Sequence, residues 1–394
     1  MNDVAPSLSA FRSRLDALDA DLLQLLAQRM RLVDEIAAYK RQAGIRIRDL
    51  AREQQVLSER MRLAHALRLP AEVIEAIFRL ILLSSRARQA DLRTELPMDA
   101  PRRTVAVIGG QGAMGTCIGR MFADLGHAVL CVDTDTELSA PEAAAAADVV
   151  VIAVPIRVTE AVIETVGPHL RPDALLMDLT SLKAAPMAAM LKHSRASVIG
   201  THPMFGPGVH TLQGQRIVLC PGRGEFWYGW LRQMLQAAGL QITESDPAEH
   251  DQVMALVQAL THFQTQVLGL TLSRSGLPLA RSLAMTSPTY LLEAYVTARH
   301  FAQSPDLYGA IEMLNPAAQR AIALFEAVSG ELASLIRRGD QRAFAAVFTE
   351  VRSFFGAFTA EALEQSRFLV DRLIELSAGE SSEVKAAAGE EKHA

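Results

Sequence analysis

Val105-Ala-Val-Ile-Gly-Gly110-Gln-Gly112-Ala-Met114-Gly115 is the stretch that decides how this chain folds. An apolar run of strand length, Val105–Ile108, leads into Gly110-x-Gly112-x-x-Gly115, and a helical pattern follows. Glycines at this spacing, with Met114 inside the loop, let backbone approach a pyrophosphate at a helix N-terminus. A second apolar run, Ala128–Val132, ends in Asp133. A carboxylate there suits a ribose diol and repels a 2′-phosphate, so the pattern predicts a Rossmann-type domain that takes NAD rather than NADP. The pattern starts only near residue 104, so a separate domain precedes it.

Working outward, Val149–Val154, Leu175–Leu179 and Val198–Thr201 join the first two runs as expected parallel strands buried on both faces. Ile217–Cys220 and Leu240–Thr243 are candidates for extending the sheet. On the N-terminal side, Ser7–Ala43 carries Phe11, Leu15, Leu18 and Leu22 at helical spacing, with Ser7 or Ser9 as cap and Gly44 as stop. A helix that long should pack against partner helices. Ala51–Leu67 and a helix over Ala71–Asp91 opened by Pro70 complete an all-helical block. From Pro247 to about Leu376 the pattern is helical again, broken near Pro278, Pro288, Pro305 and Pro316. The expected fold is multidomain: an all-α module over 1–96, a linker over 97–103, an α/β Rossmann-type domain over 104–246, an all-α domain over 247–376 and a disordered tail over 377–394.

Composition narrows the function classes. The chain has 394 residues and a net charge of −5, which argues against a nucleic-acid footprint. Cys117, Cys131 and Cys220 are scattered without zinc spacing, as in a reduced compartment, so no metal is expected. The N-terminus lacks a signal pattern and no apolar run is long enough to span a membrane. The expected location is the cytoplasm.

Chemistry in such a sheet sits at the carboxyl ends of the strands. Val154-Pro155 closes one strand and can shape a nicotinamide pocket. Ser181 lies in Asp178-Leu-Thr-Ser-Leu-Lys183, which closes the next. His202 follows the third in a loop rich in Gly and Pro. An alcohol dehydrogenation needs a base near neutral pH, and His202 fits, with Ser181 beside it; a loop histidine bonded to backbone is the alternative. His250 and His262 fall on helices of the C-terminal domain. Arg299 sits on a largely apolar helix, where either a bound carboxylate or an intrachain bridge to Glu293 or Glu312 would balance its charge.

The helical module holds a second constellation. Along one helix, Arg29 and Lys40 lie about 20° and about 16 Å apart, so both can reach one small ligand. Arg12 lies about 100° and about 25 Å from Arg29, too far to share that ligand within one chain. If all three serve one reaction, Arg12 comes from a second copy, which predicts an intertwined homodimer. Asp49, Arg52 and Glu53 share a face of the second helix, and Ser85 and Gln89 share a face of the third.

The glycine loop, VPI (154–156), DLTSLK (178–183), THPMFGP (201–207), EHDQVMALVQALTHF (249–263) and SPTYLLEAYVTARHFAQSPDLY (287–308) resemble prephenate dehydrogenase, above all the bifunctional chorismate mutase–prephenate dehydrogenases of tyrosine biosynthesis. The resemblance runs from about residue 8 to 375. It implies that His202 accepts the proton of the prephenate C4 hydroxyl with Ser181 beside it, that Arg299 binds the ring carboxylate and that His262 lines the substrate or tyrosine pocket. His250 and Tyr308 fall in the same motifs. Arg12, Arg29, Lys40, Asp49, Arg52, Glu53, Ser85 and Gln89 match the ligand set of the all-helical chorismate mutases. There Arg12 and Arg29 would hold the carboxylates of chorismate, and Lys40 and Gln89 would face its ether oxygen. Asp49 and Glu53 would bind the ring-hydroxyl side. One departure is Leu291, where enteric relatives carry arginine. The resemblance also implies feedback by tyrosine. The competing expectation is a monofunctional prephenate or arogenate dehydrogenase whose N-terminal module only dimerises or binds an effector.

Overall fold

The computed structural model describes residues 7–42, 50–91, 101–209, 211–371 and 373–374. The expected tail and most of the expected linker lie outside them, as does Asp49. The chain divides at Pro247/Ala248 into two compact units.

The first unit opens with α1, Leu8–Gln42, whose 35 residues include no Pro or Gly and run unbroken. Ser7 Oγ accepts from Ala10 N at 3.3 Å and caps its start. α2, Leu50–Ala66, and α3, Ala71–Asp91, complete the block. The C-terminal half of α1 packs on α3: Val33 and Ala37 are buried, and Arg88 grips both carboxylate oxygens of Asp34 at 2.9 and 3.2 Å. Among the described residues, the N-terminal half packs on nothing comparable. Leu8, Phe11, Leu15, Leu18 and Leu22 are exposed although they form one apolar stripe.

The sheet follows. β1, Thr104–Ile108, leads through α4, Ala113–Asp124, to β2, Ala128–Val132. The chain then passes through α5, Ala140–Ala146, to β3, Val149–Ile152, on the other side of β1. α6, Thr159–Val166, and α7, Ala184–His193, carry it through β4, Leu175–Asp178, to β5, Ser197–Pro203. β6, Arg216–Arg223, α8, Glu225–Ala237, and β7, Gln241–Glu244, close the unit. The strand order is β2-β1-β3-β4-β5-β6-β7. The first five strands are parallel, as expected. β6 does extend the sheet, but antiparallel to β5, and β7 pairs parallel with β6.

Period-two alternation divides the core. Val105 and Val107 face α4 and α8 with Phe122, Trp230 and Met234, while Ala106 and Ile108 face the opposite side with Val150, Ile152, Ile163 and Met190. β2 departs from the expectation of burial on both faces. It is an edge strand, and Cys131 on it is exposed.

The second unit is helical. α9, Pro247–Met254, continues through a π-helical turn, Ala255–Leu260, into α10, Thr261–Arg274. α11, Leu279–Ala284, α12, Pro288–Phe301, α13, Pro305–Leu314, α14, Pro316–Arg338, and α15, Gln341–Phe355, follow. Pro288, Pro305 and Pro316 each open a helix because the missing N–H would have no partner there. α10 and α12 meet at Gly269, where a Cβ would lie 2.3 Å from the Phe301 ring.

Candidate functional site

Three clusters carry the candidate residues. The first lies along the carboxyl end of the parallel strands. The chain leaves β1 at Gly109, whose φ is +83° and where a Cβ would lie 2.8 Å from Ala153 O, so a side chain is excluded. Gly110 and Gly115 are closely approached too, with would-be Cβ atoms 2.8 Å from Val107 O and 2.3 Å from Gly109 O. The sequence motif begins at Gly110, so the residue that makes the tight turn, Gly109, was missed. The Gly-Gly doublet directly after the strand was its signal. α4 starts at Gly112 without a side-chain cap, which leaves first-turn N–H groups for an anion. Asp133 stands at the end of β2, half-buried, its Oδ2 accepting from Gln111 N at 3.1 Å. The glycine loop and this acid therefore form one cradle, a fit for a dinucleotide that the backbone itself provides.

Neighbouring strands extend the row. Val154 and Pro155 leave the end of β3, Pro155 preceding a 3₁₀ turn at Ile156–Val158. Ser181 is half-buried in the connection after β4. His202 is 2% exposed and lies within β5, opposite Val218 of β6. This corrects the loop expected there. The antiparallel ladder with β6 continues through Pro203 against Ile217, and Met204 N donates to Arg216 O at 2.9 Å, so Gly and Pro downstream do not end the strand. From Asp133 to His202 the row crosses four strand spacings, about 19 Å.

Between Ser181 and His202 sits a pair that sequence reading passed over. Asp178 and Lys183 are both fully buried and form an ion pair. Lys183 Nζ also donates to Thr201 O at 2.8 Å, and Asp178 accepts from Thr180 N at 3.1 Å and Thr201 N at 3.4 Å. The pair ties the end of β4 to the residue that precedes His202. An Asp and a Lys five positions apart around a strand end were the available signal.

The second cluster is in the helical unit. The Tyr308 ring meets His262 edge-on at 4.6 Å and stacks on His300 at 4.0 Å. Burial first, then the neighbouring His300, push His262 down to about 4, so its ring is neutral near pH 7. A π-turn directly before Thr261 widens the helix next to His262, with Thr261 Oγ1 donating to Leu256 O at 3.3 Å. His250 is buried and held instead by Asp251, Nδ1 to Oδ1 at 2.8 Å. Arg299 is exposed within its unit. Among the described residues it makes no ion pair with Glu293 or Glu312, and Gln266 holds Glu312 at 2.7 Å.

The third cluster is in the helical module. Arg29 of α1 donates to Ser85 Oγ of α3, and Ser85 donates on to Ile81 O at 2.6 Å. Burial, then the cation of Arg60, lower the Arg29 guanidinium from its usual value without discharging it. Lys40 and Glu53 are half-buried, and Arg52 donates to Gln55 at 2.8 Å. Gln89 is 8% exposed, and its Oε1 has no hydrogen-bond partner among the described residues. A buried acceptor left without a partner is the kind of group a polar ligand would satisfy. Arg12 is exposed on the far part of α1. The unbroken helix keeps it from this group within one chain.

Residues 11–90 match the family chorismate mutase type II, 117–243 the nucleotide-binding domain of prephenate dehydrogenase and 246–350 its dimerization domain. The T-protein of Enterobacter agglomerans is 36% identical over 92% of this chain and 97% of its own length. The T-protein of Haemophilus influenzae is 33% identical over 95% and 99%. Among solved structures, prephenate dehydrogenase from A. aeolicus, in complex with hydroxyphenyl propionate and NAD+, is similar in fold. Its TM-score is 0.54 at 18% identity, over 64% of this chain and 97% of that one.

Proposed function

We propose roles for individual residues on one premise: the chain belongs to the T-protein family and is a bifunctional chorismate mutase and prephenate dehydrogenase. The monofunctional alternative gives way to relatives that match both halves over nearly their whole length. NAD is the cofactor, held by the cradle of Gly109, Gly110, Gly112, Met114 and Gly115, with Asp133 on the adenosine ribose and Val154-Pro155 along the nicotinamide. NAD, when bound, supplies the two-electron acceptor for C4 of prephenate.

The chain's own residues do the rest. His202, set by the β5–β6 ladder and by the Asp178–Lys183 pair behind Thr201, takes the C4 hydroxyl proton. Ser181 hydrogen-bonds the same hydroxyl. Arg299, exposed and without an ion-pair partner among the described residues of its unit, clamps a substrate carboxylate, and neutral His262 with Tyr308 lines the pocket. His250 supports that pocket through Asp251. Loss of the ring carboxylate as carbon dioxide then gives aromatic 4-hydroxyphenylpyruvate. Aromatisation drives the step, so positioning and one base suffice.

In the mutase, Arg29 and Arg12 of the partner subunit hold the two carboxylates of chorismate, while Lys40 and Gln89 face the ether oxygen where charge grows. Ser85 orients Arg29. Arg52, Glu53 and Asp49 complete the ring-hydroxyl side. The exposed stripe Leu8–Leu22 supports the homodimer this needs. Tyrosine, which resembles the product, is the feedback inhibitor, and the cytoplasm is the compartment that suits three free cysteines.

The observation that carries the dehydrogenase assignment is the single row of glycine cradle, Ser181 and His202 on adjacent strand ends. A reciprocal experiment tests both assignments. His202→Asn loses NAD-dependent prephenate oxidation by orders of magnitude and keeps chorismate turnover, while Lys40→Ala does the reverse when fed prephenate. Loss of both activities in either folded variant, or of neither, refutes them.

A further inference from the structure

Three helices of the C-terminal unit each bring one polar group to a common point. Gln266 from α10 donates through Nε2 to Glu312 Oε1 of α13 at 2.7 Å and faces His300 Nε2 of α12 at 3.2 Å. A carboxylate only accepts, so the amide nitrogen must face Glu312. The second hydrogen of that nitrogen then points at His300 Nε2, which must offer a lone pair. His300 is therefore neutral, with its proton on Nδ1. One face of its ring lies on Tyr308, 22° from parallel, and its neighbour His262 is 5.4 Å away. Among the described residues, the titratable groups facing His300 or its Gln266 partner are His262 from α10 and Tyr308 and Glu312 from α13, with Arg299 adjacent on its own helix.

The bridge couples two protonations. A proton on His300 Nε2 would oppose the amide N–H, so His300 takes one up only if the Gln266 amide turns over. The turned amide presents oxygen to Glu312, which is tolerable only if Glu312 is protonated too. Burial raises the Glu312 carboxyl, against the Gln266 hydrogen bond that lowers it, and burial lowers the His300 imidazole, so the ordinary gap between the two narrows.

We propose that His300 is a positioning residue for the His262–Tyr308 pair, locked in one orientation by the Gln266 bridge and released when His300 and Glu312 take up protons together. The inference rests on the reading that His262 and Tyr308 line the prephenate pocket.

The test is KM for prephenate in the full-length protein, at saturating NAD, from about pH 8 to about pH 5. Wild-type KM rises about tenfold or more toward the acid end, more steeply than one proton allows. Glu312→Gln, nearly isosteric, leaves a rise no steeper than one proton. His300→Phe keeps a ring on Tyr308 but carries no proton, and its KM stays within about twofold across the range. A flat wild-type profile, or wild-type steepness in Glu312→Gln, overturns the proposal. His262→Ala separates the two possible failures. If it leaves KM unchanged, the pocket reading has failed and takes the proposal with it; if it raises KM while Glu312→Gln changes nothing, the positioning role alone has failed. Chorismate turnover by each preparation reports that the variant is folded.

Discussion

Replacing Lys183 by Met puts the buried ion pair of the nucleotide-binding sheet to a quantitative test. Both side chains have no exposure, so neither water nor surface lysines can compensate Asp178 once the ammonium is gone. The donors left to Asp178 are Thr180 N, Thr180 Oγ1 and Thr201 N, all neutral. Leaving one partner of such a pair uncompensated costs about 3–5 kcal/mol, which lowers Tm by about 6–20 °C at roughly 2–4 °C per kcal/mol. Asp178→Asn combined with Lys183→Met removes both charges and returns the protein to within about 2 kcal/mol of wild type. Scanning calorimetry measures the shifts, and chorismate turnover below the transition confirms that the helical module is intact. A single variant less than about 2 °C below wild type, or a double variant as unstable as the single, refutes the idea that charge compensation matters here. Thr201 O loses its Lys183 donor in both variants, so prephenate oxidation falls in the double variant even where stability recovers.

Three further outcomes are expected. Arg299→Ala raises KM for prephenate about tenfold or more with a smaller effect on kcat, because a lost carboxylate clamp weakens binding; steady-state kinetics showing unchanged KM would leave Arg299 without that role. Asp133→Ser shifts the ratio of kcat/KM for NAD over NADP toward NADP by about tenfold, and an unshifted ratio moves cofactor choice elsewhere. Gly109→Ala forces a Cβ to 2.8 Å from Ala153 O at a left-handed φ, costing about 1–3 kcal/mol and weakening NAD binding; calorimetry and NAD titration equal to wild type would show that the turn relaxes freely.

Much of the architecture was legible in the chain. Strands buried on both faces leave uninterrupted apolar runs, so β1, β3, β4 and β5 announced themselves, and prolines marked the starts of α12, α13 and α14 because their missing N–H is tolerated only there. The glycine loop and Asp133 were legible for the same local reason: backbone geometry and strand length operate between residues close in sequence. The helix phase of Arg12, Arg29 and Lys40 was readable too, since an unbroken helix makes distance a function of residue number.

What depended on residues far apart was decided only by folding. His202 became a strand residue because β6 returned antiparallel beside it, a pairing no local signal encodes. Asp178 and Lys183 became a buried pair because β4 and β5 closed over them, and His300, an unremarkable helix residue by sequence, acquired Gln266, Tyr308 and Glu312 from two other helices. Local pattern sets what each segment can be. The energy of burying charge and polar groups is settled only by the neighbours that tertiary packing brings, and those neighbours turn a titratable side chain into a positioned one.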